Sequence, residues 1–336
     1  FAPLVNPAEG TVVCLALAGM VVIALGLQWR QEGWQGNALL ALLIAMGGAL
    51  GRLHLHGETL LEGPVAVFAI VSATLLGSVA VMRWFLRREA HPDVFSAAMP
   101  ALSTCGLWFL YLIAPLCLDT ENTAAAWALM GLATAFIGVR LQARAWLGNS
   151  LLVQLAAGLL FVLNLHGGQG SVLSFGGSGW SGLIIASLVG LASLFSIGLA
   201  VQDARRRDNE AAVQRLAWLM VFGLGFLSLA VLFVLPWQTA TAVWAASGFL
   251  LMWAAQRVRL APAFWFALLL EGLAGLSFAT TSIPQLARLA PELTAFGHMG
   301  FWTPIIIALS AFALAWRLHH GAQKEVPGAF AASGRL

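Results

Sequence analysis

The sequence predicts an all-α integral membrane protein of about eleven transmembrane helices, arranged in parallel four-helix repeats of which the first is truncated. Three observations carry that expectation. Charged residues make up 9% of the chain and hydrophobic residues 60%, with a mean hydropathy of +0.87. A soluble domain carries about 25% charged residues, so a surface this poor in charge has lipid as its solvent. Apolar runs of about the 20 residues that a helix needs to cross a bilayer recur along the whole chain. Finally, a tryptophan–glycine–arginine sentence is written twice, as AAWALMGLATAFIGVRLQA (125–143) and AVWAASGFLLMWAAQRVRL (242–260).

Breaks in hydropathy place helices near 9–29, 37–54, 63–86, 98–118, 122–143, 146–165, 181–202, 213–236, 239–259, 261–280 and 301–320. Alternating the loops puts RQEGWQ, RWFLRREAHPD, RLQAR, QDARRRDNEAAVQR, QRVR and the tail on one side. That side holds every one of the 17 Lys/Arg residues except Arg52 and Arg288. Positive residues mark cytoplasmic loops, so the C-terminus is expected inside and residue 1 on the periplasmic side of a bacterial inner membrane. The net charge of +3 is spent on this topology, and no nucleic-acid partner is expected. Trp29, Trp34, Trp84, Trp146, Trp180, Trp237 and Trp302 fall near span ends, where an amphipathic ring favours the interface; Trp244 and Trp265 sit further inside. Cys14, Cys105 and Cys117 lie in apolar runs without CxxC spacing, as small hydrophobes do.

The repeat is gapless. At an offset of 117, Gly106, Trp127, Gly131, Arg140, Gly158 and Phe161 match Gly223, Trp244, Gly248, Arg257, Gly275 and Phe278. At an offset of 112, Ala2-Pro3-Leu4 matches Ala114-Pro115-Leu116, and Gly19, Trp34, Asn37 and His54 match Gly131, Trp146, Asn149 and His166. The expected units are 1–97 with three spans, 98–212 and 213–320 with four each, and a cytoplasmic tail at 321–336. The first unit lacks its leading helix, so the chain is expected to be cut from a longer array, and its missing N-terminal part or other membrane subunits are expected partners beside the membrane lipids. Four is even, so successive units enter the membrane from the same side and are parallel rather than inverted. Trp127 and Gly131, like Trp244 and Gly248, stand at i and i+4 on one helical face. They are read as helix packing, the glycine admitting a close neighbour.

The pattern AAWALMG…GVRLQAR with AVWAASG…QRVRL and APLVNP resembles the uncharacterised bacterial multi-span membrane family catalogued as domain of unknown function 2339. The resemblance implies an inner-membrane protein with many spans, of which this chain would be the C-terminal part. It transfers no catalytic residue.

Glu271 is the sharpest candidate for chemistry. It sits in LLLEGLAGL near mid-span, where a charge costs roughly 2.5–3.5 kcal/mol on insertion scales, so it is protonated, paired or facing a wet cavity. Its repeat equivalents are Gln154 and Leu42, and Glu271 and Gln154 are the candidate substrate or proton pathway. On the outer face, LHLHGETLLEG brings His54, His56, Glu58 and Glu62 together, and His166 is the repeat partner of His54. His-x-His beside acids can supply acid–base groups or metal ligands, so His54, His56, Glu58 and His166 are weak catalytic candidates, with Asp119, Glu121, Arg288, Glu292 and His298 on the same face. No metal and no cofactor is expected. The loop GGQGSVLSFGGSGWSG (167–182) lacks the GK[ST] ending of a phosphate loop and reads as a flexible or re-entrant outer loop. There is no GxSxG, HExxH, Walker or CxxCH motif. The expected function is a conduit or carrier for a small or lipidic envelope substrate; a membrane-embedded transferase acting on an envelope lipid or glycan, and a scaffold for a membrane complex, are the alternatives.

Overall fold

A computed structural model describes residues 7–28, 32–54, 61, 63–86, 95–168, 172–258, 261–284 and 296–321. Among these, eleven α-helices follow in order: α1 (Pro7–Gln28), α2 (Glu32–Leu50), α3 (Val65–Leu86), α4 (Phe95–Cys117), α5 (Thr120–Leu141), α6 (Arg144–Leu163), α7 (Gly179–Arg206), α8 (Glu210–Ala230), α9 (Trp237–Val258), α10 (Ala261–Ser277) and α11 (Met299–Gly321). Each coincides with one expected span to within a few residues. Eight are long and apolar enough to cross a membrane. The other three are α1 and α2, whose apolar stretches at 9–25 and 37–50 are shorter, and α9. That last helix carries Trp237, Trp244, Trp253, Gln238 and Gln256, which lower its hydropathy without shortening it.

Local chemistry explains the ends. The Asp119 side chain accepts from Asn122 N at 2.9 Å and caps α5, and Asn209 does the same for α8 through Ala212 N at 3.0 Å. Such caps satisfy amides that the first turn leaves unpaired. α5 stops at Gln142, which takes a left-handed conformation (φ 53°) and returns its N–H to Val139 O, and α6 follows within three residues. α8 tightens into a 3-10 turn over Val231–Phe233, and α10 runs into a π-helical turn over Phe278–Ser282.

The chain divides into two compact units, residues 1–161 and 162–336. In the first, α1, α2, α3 and α4 share a core that includes Ile23, Leu42, Phe68, Leu75, Met82 and Phe109. Ser72 Oγ donates to Gly106 O at 2.9 Å between α3 and α4, and a Cβ on Gly106 would stand 2.9 Å from the Leu76 side chain. In the second unit, α7 and α8 meet at Gly190 and Gly223, where a Cβ on either glycine would lie 2.9 Å from the other's carbonyl oxygen. Small residues let membrane helices approach this closely. α9, α10 and α11 pack around Trp244, Phe266, Leu270 and Phe264. Outward faces are apolar: Leu43, Leu159, Ile184, Phe195, Leu276, Leu309 and Phe312 are all exposed, as helices bathed in lipid require.

The described part of the glycine-rich loop at 167–182 is more ordered than its composition suggests. His166–Gly167 pairs antiparallel with Leu173–Ser174, Val172 N donates to Leu232 O at 3.1 Å, and Phe175 is buried. One aromatic anchor and a carbonyl of the 3-10 turn hold the described part of the loop down.

Candidate functional site

The twice-written sentence builds the same contacts twice. Trp127 Nε1 donates to Tyr111 O at 2.8 Å, and Trp244 Nε1 donates to Ser228 O at 2.8 Å; Tyr111 and Ser228 are themselves 117 residues apart. Both carbonyls need an outside donor. Pro115 inside α4 has no N–H to give the carbonyl four residues back, which is that of Tyr111. Ser228 stands in the last turn of α8, where carbonyls go unpaired. The arginines that close the sentence repeat as well: Arg140 lies 5.2 Å from the Phe136 ring and Arg257 lies 4.3 Å from the Trp253 ring, each one helical turn back. The guanidinium is thereby held over an aromatic face at the helix end.

The glycines carry the contact that matters for chemistry, and it occurs three times. A Cβ on Gly19 of α1 would stand 2.9 Å from the Leu42 side chain of α2 and 3.2 Å from Ala38 O. On Gly131 of α5 it would stand 2.8 Å from Gln154 Nε2 and from Val153 of α6. On Gly248 of α9 it would stand 3.1 Å from Ala267 O and 3.3 Å from Glu271 Oε2 of α10. Each glycine makes a slot in one helix, and the same position of the next helix fills it with leucine, glutamine or glutamate.

The three fillings differ in how their polar atoms are satisfied. Leu42 is fully buried and has none. Gln154 is 2% exposed, and its Nε2 donates to Ala128 O at 2.8 Å. Glu271 is 9% exposed; its Oε1 accepts from Ser310 Oγ of α11 at 2.6 Å, while its Oε2 is buried with no hydrogen-bond partner. Two further buried polar atoms of the same unit have no partner, Trp237 Nε1 at the start of α9 and Ser282 Oγ at the end of the π turn. Buried polar groups are nearly always paired; these three, on α9, α10 and the π turn, find no partner among the protein's own described atoms.

His54 and His166 are both exposed, the first in unit one and the second in unit two, on the hairpin strand. His56, Glu58 and Glu62 lie outside the described residues, as do Arg288 and Glu292. Asp119 is the α5 cap, and His298 accepts from Gly300 N through Nδ1 at 2.9 Å, opening α11. Among the described residues no group of three His, Cys, Asp or Glu side chains is placed to hold a metal ion. Ser310 escaped the sequence reading: a serine 39 residues from the acid, in another helix, leaves no pattern to find.

Comparison of the chain with protein-family models, with curated proteins and with solved structures finds no match.

Proposed function

We propose that this chain is a carrier or conduit of the bacterial inner membrane, coupled to protons or cations, with Glu271 as the coupling carboxyl. Eleven spans in parallel four-helix repeats, the C-terminus in the cytoplasm and residue 1 outside, complete the reading, along with membership of the domain-of-unknown-function 2339 family. The observation that carries it is the slot opposite Gly248: the position that holds leucine in the first repeat and a satisfied glutamine in the second holds an acid with one orphaned oxygen in the third. A packing role has no use for an acid there, since Leu42 fills the same slot without desolvating a carboxyl. An intramembrane acid is retained at a cost when it handles charge. The orphans at Ser282 and Trp237 give a polar direction from the slot toward the outer end of the bundle. Gln154 supplies a fixed polar contact at the same depth in the second repeat.

The test is proton movement into liposomes holding the purified protein and a trapped pH dye. An imposed gradient collapses with the wild type and persists with Glu271→Leu, which the Leu42 precedent says will fold. Equal collapse in both removes the carboxyl from the mechanism.

A second reading has its own observation. The slot is built alike three times and accepts leucine, as a wall module would; on that scaffold reading Glu271→Leu is silent in cells and in liposomes alike.

A further inference from the structure

A different site lies at the arginine-rich end of the first unit. Leu76, Val79, Ala80 and Arg83 form one stripe of α3 at i, i+3, i+4 and i+7. With Trp84, Leu141 at the end of α5 and Trp146 in the first turn of α6, they enclose a groove of about 300 Å³. From Leu76 to Arg83 the floor runs about 10 Å along the helix, apolar until it meets the guanidinium. Arg83 is half-buried, and its Nη2 donates to Leu141 O, which fixes the head of the side chain over the end of α5. Arginine carries five N–H donors in a planar fork; among the described residues the rest of that fork has no partner.

We infer that this groove binds one acidic phospholipid, with its phosphate on Arg83 and the first part of one acyl chain along Ala80, Val79 and Leu76. Among the described residues the lining holds one cation and no acid, so it selects an anion. Its volume is at the lower end for small-molecule pockets, which suits a segment of a chain whose remainder stays in the bilayer. A soluble anion would occupy Arg83 and leave two turns of apolar floor open to water, which is unfavourable. A zwitterionic lipid brings its own cation to the guanidinium. Basic pockets between spans on the positively charged side take acidic headgroups for this reason, and the two tryptophans sit where indole rings prefer the headgroup level. The site is independent of Glu271.

The experiment is native mass spectrometry of the delipidated protein with phosphatidylglycerol, with phosphatidylcholine of the same acyl chains, and with inorganic phosphate as competitor. The wild type retains one phosphatidylglycerol, preferred roughly tenfold over phosphatidylcholine, the usual scale of one charge-assisted contact. Arg83→Gln loses that preference. Ala80 is exposed at the groove, so Ala80→Phe fills it without entering the core, and it loses the adduct while helix content and unfolding temperature stay unchanged. Equal retention of the two lipids by the wild type, an adduct that survives Ala80→Phe, or displacement of the lipid by inorganic phosphate would each overturn the assignment, the last in favour of a soluble anion.

Discussion

Replacing Glu271 by glutamine is expected to make the protein more stable and less active. Glu271 Oε2 is buried without a partner, whereas Gln154, its counterpart 117 residues earlier, donates from Nε2 to Ala128 O at 2.8 Å. Ala245 is the counterpart of Ala128, so Glu271→Gln places an N–H2 group where the orphaned oxygen stands, with the Ala245 carbonyl as acceptor. The other oxygen keeps the Ser310 hydroxyl. One orphan is relieved and one neutral hydrogen bond is formed, a gain of about 1–2 kcal/mol. For a unit of this size that raises the unfolding temperature by about 2–8 °C, read by circular dichroism in detergent. Ser310→Ala moves the other way: it orphans both oxygens and costs about 1–3 kcal/mol. A lower unfolding temperature for Glu271→Gln would refute the reasoning, because it would mean that Oε2 is held by something stronger than an amide could offer.

The other expectations follow the same contacts. Gly131→Ala puts a methyl 2.8 Å from Val153 and Gln154 and should cost about 1–3 kcal/mol, while Gly148→Ala meets nothing within 4 Å and should gain about 0.5–1 kcal/mol; thermal unfolding of the two variants side by side decides it. Trp127→Phe and Trp244→Phe should each lose about 1 kcal/mol with the indole hydrogen bond. In a Pro115→Ala background the backbone amide at 115 can serve Tyr111 O, so the cost of Trp127→Phe shrinks and that of Trp244→Phe does not. Phe175→Ala, which empties the anchor of the hairpin, should cost about 3–5 kcal/mol and speed hydrogen exchange across 172–178.

The helices were legible because lipid imposes one rule along the whole chain. A span must be long, apolar and internally hydrogen-bonded; eight of the eleven described helices meet that rule, and the apolar runs place all eleven within a few residues. The hydropathy of α9 is the instructive exception, since the tryptophans that make its contacts also disguise it. The glycine slots were half legible. Alignment of Leu42, Gln154 and Glu271 put the three at one depth, and spacing put Trp127 and Gly131 on one face, but spacing names no partner. That Gly131 faces Gln154 while Trp127 reaches back to a carbonyl freed by Pro115 depends on how two helices lie against each other. Ser310 and the orphaned oxygen depend on a third helix. The hairpin at 166–174 was hidden for a different reason: glycine and serine permit many loop conformations, and buried Phe175 and the Leu232 carbonyl choose among them.

Proton or ion exchange by Glu271 inside the bundle is tested most directly by a hydrophobic carbodiimide, because it forms a stable adduct with a protonated carboxyl that it can reach from the membrane. Peptide mapping of treated membranes should find the adduct on Glu271, formed faster as the pH falls, with proton movement lost in proportion to labelling. A Glu271 left unmodified at every pH where the protein stays folded would contradict the account and leave the carboxyl as packing.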